Sequence, residues 1–169
     1  TTLDAVQLEW LLSLIDQSYD VSTVDEYTLE AGRPDTIDKE KMDIAVRHGV
    51  TRISVNPQTL NDDVLRLIGR AHTADDFLRA YEMARKSGIP IINTVVIAGL
   101  PGDKFASFSD SFDKIIKLRP ENITVHTFSV KKASDALKSF SHVYSARGGD
   151  VGKCVDYSQI TAMHEGYAP

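Results

Sequence analysis

A chain of 169 residues, of which 42% are hydrophobic and 25% charged, is long enough for one globular domain with a buried core. Its formal net charge of −5 argues against a nucleic-acid partner, which requires a basic face. Its one cysteine, Cys154, excludes a disulfide framework and cannot by itself build a zinc or iron–sulfur site.

No membrane or export signal is evident in the sequence. The longest apolar run, residues 89–100, is interrupted by Asn93 and Thr94 and is too short to span a bilayer. The first residues do not resemble a signal peptide. We therefore expect a cytoplasmic protein without a membrane partner, in which Cys154 is a buried structural thiol.

Helical and extended patterns alternate along the first third of the chain. Asp4 and Gln7 have the spacing of a capping box at the start of a helix over residues 4–17. The apolar stripe of that helix is Leu8, Leu11, Leu12 and Ile15. A strand over residues 22–30 ends at Glu30, and a second helix, over residues 37–48, is closed by Gly49.

The middle of the chain repeats this alternation. A second strand covers residues 51–56, a short helix begins at Asn61, and a longer one runs from Thr73 to Gly88. The third strand, residues 89–99, is nearly all apolar, which is typical of a parallel strand covered on both faces. A helix with Phe105, Phe108, Phe112 and Ile115 on one face leads to a fourth strand, residues 122–129.

The pattern weakens after Val130. Residues 131–149 are polar and are expected to form a connection that is flexible in part, followed by a last helix over residues 150–165. Four strands separated by helices predict parallel βαβ units. Either an open doubly wound sheet or part of a (β/α) barrel fits, but a complete barrel typically needs about 250 residues. We therefore expect a single α/β domain over residues 1–169, built as a partial TIM-type (β/α) barrel.

Polar residues follow each predicted strand, where ligands bind in both architectures. The candidates at these strand ends are Glu30, Asn56, Gln58, the turn Gly99-Leu100-Pro101-Gly102, and residues 126–129 followed by Lys131 and Lys132. Arg70 and His72 follow the short helix. A carboxylate, two amides, a glycine-rich turn and several cations on one rim are typical of a polar-ligand site. Walker, GxGxxG, HExxH and GxSxG motifs are absent from the sequence.

Each candidate also has a structural interpretation. Glu30 and the two lysines fit solvated positions, and Asn56 and Gln58 fit caps of the following helix. Arg70 fits a cation that satisfies carbonyl groups at a helix end. His72 fits a residue that orients a turn, and His126 fits an inward-facing core residue. The residues alone leave both interpretations open.

Four segments resemble one family, the oxygen-independent coproporphyrinogen III oxidases of the radical S-adenosylmethionine enzymes, and within it the HemZ-like branch. They are "LEAGRPDT", "GVTRISVNPQTLNDDVLRLIGRAHT", "IAGLPGD" and "LRPENITVHTFSVKKAS". The resemblance covers residues 1–134. It implies a partial barrel in which S-adenosylmethionine is bound by Glu30, Gln58, Arg70 and Ser129.

The resemblance also implies a reaction. In the family, a [4Fe–4S] cluster donates one electron to S-adenosylmethionine, and the resulting 5′-deoxyadenosyl radical removes hydrogen from a propionate of coproporphyrinogen III. Loss of carbon dioxide and an electron leaves a vinyl group. The porphyrinogen carries four carboxylates, which Arg33, Lys131 and Lys132 are expected to meet.

Two departures from the family pattern lead to further expectations. The CxxxCxxC loop that ligates the cluster and the glycine-rich turn before "TTL" are absent, so we expect a fragment whose cluster ligands lie outside this chain and which is inactive alone. Val95 stands where the family usually has an aspartate. Exposed strand edges predict self-association. Two other functions stay open: a haem-binding or haem-transfer relative, and a scaffold without catalysis.

Overall fold

A computed structural model describes residues 2–128 of the chain. Its helices and strands alternate from α1 to β4. In chain order they are α1 (Ala5–Ser18), β1 (Thr28–Gly32), α2 (Lys39–Arg47), β2 (Arg52–Val55), α3 (Asp62–Leu67), α4 (Ala74–Ser87), β3 (Ile91–Ala98), α5 (Phe105–Lys117) and β4 (Asn122–Thr127). Two short 3-10 turns, Val21–Thr23 and Pro34–Thr36, flank β1.

The four strands form one sheet in the order β1-β2-β3-β4, and every neighbouring pair is parallel. Each crossover contains at least one helix, as parallel connections require. The predicted α/β class, with four parallel strands and flanking helices, is confirmed. In this arrangement all four strands end at the same edge of the sheet.

The capping residues predicted from the sequence set the starts of the helices. Asp4 and Gln7 form the capping box of α1, and Asn61 accepts hydrogen bonds from Asp63 N–H and Val64 N–H at the start of α3. Thr73 forms a second capping box with Asp76 at the start of α4. These contacts satisfy backbone N–H groups that have no partner inside the helix.

The core lies on one face of the sheet. Ile53 and Ile92 are fully buried on this face and belong to one cluster with Phe77 of α4 and Ile115 of α5. A smaller cluster, Leu8, Leu12 and Ile44, joins α1 to α2. On the opposite face, the register aligns Glu30 with Ser54 and Ser54 with Asn93.

Several sequence predictions were wrong in detail. The first strand begins at Thr28 rather than at residue 22, because the Asp20 carboxylate accepts a hydrogen bond from Ser22 N–H and holds a 3-10 turn. Leu11 and Phe105, assigned to apolar stripes, are 37% and 48% exposed. Val95 and Ile97 are only half-buried, so β3 is not fully covered on both faces by the described residues.

The predictions for the end of the chain lie outside the described residues. They concern Ser129, Lys131, Lys132 and Cys154, the connection at 131–149 and the helix at 150–165.

Candidate functional site

Glu30 and Asn56 meet where β1 and β2 end. The Nδ2 group of Asn56 donates a hydrogen bond to Glu30 Oε1 at 2.7 Å. Asn56 is 9% exposed, whereas Glu30 is exposed. The bond therefore fixes a carboxylate at the open edge of the sheet by means of a buried amide.

Gln58 is held by its backbone against β3. Its N–H group donates to the Val95 carbonyl at 3.1 Å, and its own carbonyl accepts from Ile97 N–H at 2.8 Å. Its φ angle of 66° lies in the left-handed region, which is uncommon for a residue other than glycine. These two bonds fix the Gln58 backbone beside β3, at the carboxyl end of the sheet.

The segment that follows Gln58 is tied to α5. The Leu60 N–H group donates to Ser111 Oγ at 3.3 Å, and Asn61 Nδ2 donates to Ser107 Oγ at 2.8 Å. The interpretation of Asn56 and Gln58 as caps of α3 is therefore wrong, since Asn61 caps that helix and Asn56 binds Glu30.

The turn after α3, which contains Arg70 and His72, is bonded to the segment after β2 through His72. The ring of His72 is buried, with 3% exposure, and its Nε2 donates to the Pro57 carbonyl at 3.1 Å. This bond joins the turn that contains Arg70 to the residue beside Gln58. Arg70 is half-buried, and no carboxylate among residues 2–128 forms an ion pair with its guanidinium. Orienting a turn, the structural interpretation of His72, is confirmed.

We call this group of residues the strand-exit site. It consists of Glu30, Asn56, Pro57, Gln58, Arg70 and His72. The structure thus joins the segments carrying three residues predicted to bind S-adenosylmethionine, namely Glu30, Gln58 and Arg70, through the tripeptide between Val55 and Thr59. Their role in binding stays a prediction.

Other predicted residues lie in different surroundings. Arg33 forms a two-point ion pair with Asp35, through Nε at 3.1 Å and Nη2 at 2.6 Å. The hydrogen bond from Arg33 holds the pKa of Asp35 below its usual value. His126 is exposed, so its interpretation as a core residue is wrong. Val95, which replaces the aspartate of the family pattern, accepts the Gln58 N–H bond through its carbonyl.

A row of polar side chains in the sheet was missed by sequence reasoning. Asn93 Nδ2 donates to Ser54 Oγ at 3.1 Å, and Thr124 Oγ1 donates to Asn93 Oδ1 at 3.1 Å. The available signal was their spacing, since Ser54 stands two positions before Asn56 and therefore shares its face. This row extends the polar face from β2 to β4.

The turn after β3 contains a second missed residue, Asp103. Gly99 and Gly102 adopt positive φ angles, and a Cβ at Gly102 would lie 2.7 Å from Leu67 Cδ2. Asp103 is 7% exposed, and burial raises its pKa against the opposing effect of a hydrogen bond with Ser107. The sequence shows the glycines but not this burial.

Residues 2–128 contain no group of three or more histidine, cysteine, aspartate or glutamate side chains that could hold a metal ion. The whole chain has one cysteine. The described residues therefore do not fit an iron–sulfur cluster. Over the same range, none of the helices has the length and apolar character needed to cross a bilayer.

The sequence pattern of the radical SAM superfamily matches residues 18–115, which is more than half of the chain. This chain belongs to the radical SAM superfamily. It is 36% identical, over its whole length, to the oxygen-independent coproporphyrinogen-III oxidase-like protein HemZ of Bacillus subtilis (strain 168), of which it covers 34%. It is 33% identical, over 78% of its length, to the heme chaperone HemW of the same organism, of which it covers 35%.

A solved structure supports the fold. Coproporphyrinogen III oxidase (HemN) from Escherichia coli aligns with a TM-score of 0.68 at 20% sequence identity, over 84% of this chain and 38% of that protein. The chain therefore has the fold of one part of a radical SAM enzyme. It spans about a third of the length of these relatives.

Proposed function

We propose that this chain forms the S-adenosylmethionine-binding part of a radical enzyme that decarboxylates the propionate side chains of a porphyrinogen during haem biosynthesis. The observation that carries the proposal is the strand-exit site, where Asn56 holds the Glu30 carboxylate and the His72–Pro57 bond ties the turn that contains Arg70 to the residue before Gln58. The similarity to the HemZ protein over the full chain supports the choice of reaction.

The residues of the strand-exit site fit S-adenosylmethionine chemically. Asn56 Oδ1 is buried and has no hydrogen-bond partner among residues 2–128, so the site has a polar atom ready for a ligand. Glu30 presents acceptor oxygens for hydroxyl or ammonium groups, and Arg70 presents a planar set of donors for a carboxylate. Gln58 can both donate and accept.

When bound and reduced, S-adenosylmethionine supplies the radical that removes hydrogen from the substrate. The protein binds and orients the cofactor and the substrate and shields them from competing reactions. Backbone bonds from β3 fix Gln58, and the Pro57–His72 contact keeps the Arg70 turn beside it. The chain has one cysteine, too few to hold a [4Fe–4S] cluster, so the cluster would be held by residues outside this chain and the chain alone is expected to be inactive.

Titration with two ligands tests the proposal. We expect S-adenosylmethionine to give saturable NMR chemical-shift changes centred on the strand-exit site, and alanine at Arg70 to weaken them. Haem should give no stoichiometric absorbance change. Tight haem binding without a response to S-adenosylmethionine would instead favour a haem-carrying function, which the similarity to the HemW chaperone makes the second candidate.

Two further experiments address activity and substrate. After treatment of the chain with iron and sulfide, no 5′-deoxyadenosine should form from S-adenosylmethionine, and its formation would refute the proposed inactivity. Alanine at both Lys131 and Lys132 should weaken porphyrinogen binding, because the substrate carries carboxylates. Unchanged affinity would remove these lysines from the substrate site.

Self-association is proposed as well. Strands β1 and β4 are the edges of the sheet formed by the described residues, and free strand edges favour pairing between chains. Light scattering should show a mass that rises with concentration. A constant monomeric mass over a wide concentration range would contradict this expectation.

A further inference from the structure

The amide side chain of Asn56 has a donor side and an acceptor side, which have different roles in the strand-exit site. Its Nδ2 group lies 2.7 Å from Glu30 Oε1. An ionised carboxylate can only accept hydrogen bonds, so the amide must turn its donor side toward Glu30. The other side of the amide, Oδ1, is then an acceptor that faces away from the Glu30 bond.

That acceptor is buried and has no partner in the described part of the chain. Asn56 is 9% exposed, and Oδ1 has no hydrogen bond to any residue between 2 and 128. A buried polar atom that stays unpaired costs about 1–3 kcal/mol, and native proteins rarely retain one without reason. A ligand that donates a hydrogen bond to Oδ1 would remove this cost.

Glu30 presents a second acceptor in the same site. Glu30 is exposed, and the described residues give Oε2 no hydrogen bond. Asn56 Oδ1 and Glu30 Oε2 are therefore two acceptors of one site for which residues 2–128 supply no donor. Such a pair selects a ligand group that carries donors, namely hydroxyl or ammonium.

We propose that Asn56 is a binding residue of the strand-exit site, which holds the Glu30 carboxylate through Nδ2 and accepts a hydrogen bond from a hydroxyl or ammonium group of S-adenosylmethionine through Oδ1. This inference rests on the proposed function, because it names a contact in the same site. Asn56 acts twice, as the support of Glu30 and as a direct contact.

The variant Asn56→Asp tests the supporting role, because aspartate has the same shape but no donor. Near pH 7.5 two facing carboxylates repel each other, and S-adenosylmethionine affinity should fall at least about tenfold, the loss expected for a hydrogen bond to a charged group. Near pH 5.5 the carboxylates share a proton, which restores a donor, so about half or more of the lost affinity should return. The unsubstituted chain should show no such recovery.

A matched control and a rescue variant complete the design. Asn122→Asp adds the same charge at an exposed position at the start of β4, on the opposite edge of the sheet, and should leave affinity unchanged at both pH values. The double variant E30Q/N56D exchanges donor and acceptor between the two positions without changing net charge. It should recover affinity and lose the pH dependence, and it keeps the proposal testable if N56D does not fold.

The measurement is an NMR titration of the 169-residue chain with S-adenosylmethionine, in which the Asn56 side-chain amide signal should also shift. If N56D binds as Asn122→Asp does at both pH values, the inference about Asn56 is overturned and the proposed function stands. If the unsubstituted chain shows no saturable binding, both are overturned.

Discussion

The interface between α1 and α2 and the strand-exit site each contain a histidine of low exposure, His48 and His72, and they differ in how completely its ring is paired. At the helix interface, His48 Nδ1 lies 2.5 Å from Asp16 Oδ2 and His48 Nε2 lies 3.0 Å from Glu9 Oε1. Arg47 binds the other oxygen of Glu9 at 2.6 Å. We call these four residues the helix clamp.

In the strand-exit site, pairing is incomplete. Asn56 Oδ1 and His72 Nδ1 are both buried and have no partner among residues 2–128. In the helix clamp, both ring nitrogens of His48 are paired, which stabilises the contact of the two helices. An unpaired acceptor such as Asn56 Oδ1, at the carboxyl end of the sheet, is available for a hydrogen bond from a ligand.

The largest effect that separates the two regions is expected for His72→Leu. The substitution leaves the buried Pro57 carbonyl unpaired, which should lower the free energy of unfolding by about 1–3 kcal/mol. It should also weaken S-adenosylmethionine binding, since Gln58 follows Pro57 directly. The measurements are urea unfolding and ligand titration.

The exposed His126 provides the matched control. His126→Leu should leave the free energy of unfolding unchanged. Equal effects of the two substitutions would mean that the hydrogen bond of His72 does not support the site.

A smaller effect, visible in its pH dependence, is expected for His48→Gln in the helix clamp. Burial acts to lower the pKa of His48, but the hydrogen bonds to Asp16 and Glu9 outweigh it and hold the pKa above the usual 6.5. Stability from this group is therefore full below pH 6.5 and is lost as the pH rises through the raised value.

Thermal unfolding across this range checks the prediction. The unsubstituted chain should lose melting temperature as the pH rises from 6.5, and the His48→Gln variant should lose less. The variant should bind S-adenosylmethionine normally, because the clamp contains none of the strand-exit residues. Parallel curves for the two proteins would show that His48 is not charged in the clamp.

The smallest effect is expected for Arg33→Ala. Its ion pair with Asp35 is exposed, and such pairs add little to stability. The melting temperature at neutral pH should stay unchanged. NMR titration should show the Asp35 pKa rising toward its usual value, since the bond that lowers it is gone. An unchanged Asp35 titration would mean that Arg33 does not hold this carboxylate.

Local signals in the sequence predicted much of the fold. The caps at Asp4, Asn61 and Thr73 were identified from residue type and spacing, because each acts within four residues of itself. The exposure of Leu11 and Phe105 was not predicted. Helical periodicity identifies an apolar face but does not show how much of that face the neighbouring element covers.

Part of the site was also predictable from the sequence. Strand polarity places Glu30 and Gln58 at one edge, which the sequence indicates once the strands are taken as parallel. The bond between Asn56 and Glu30 depends on the register of β1 against β2, and the pairing of Arg33 with Asp35 depends on a turn after the strand. Neither contact produces a periodic pattern in the sequence from which it could be predicted.

The left-handed backbone of Gln58 has a consequence for how this position can change over evolution. A non-glycine residue in that conformation carries strain of about 1–3 kcal/mol, which glycine would avoid. Selection for folding alone would therefore drive the position toward glycine. Glutamine at this position keeps an amide in the strand-exit site and lowers stability, whereas glycine would raise the free energy of unfolding and remove that amide.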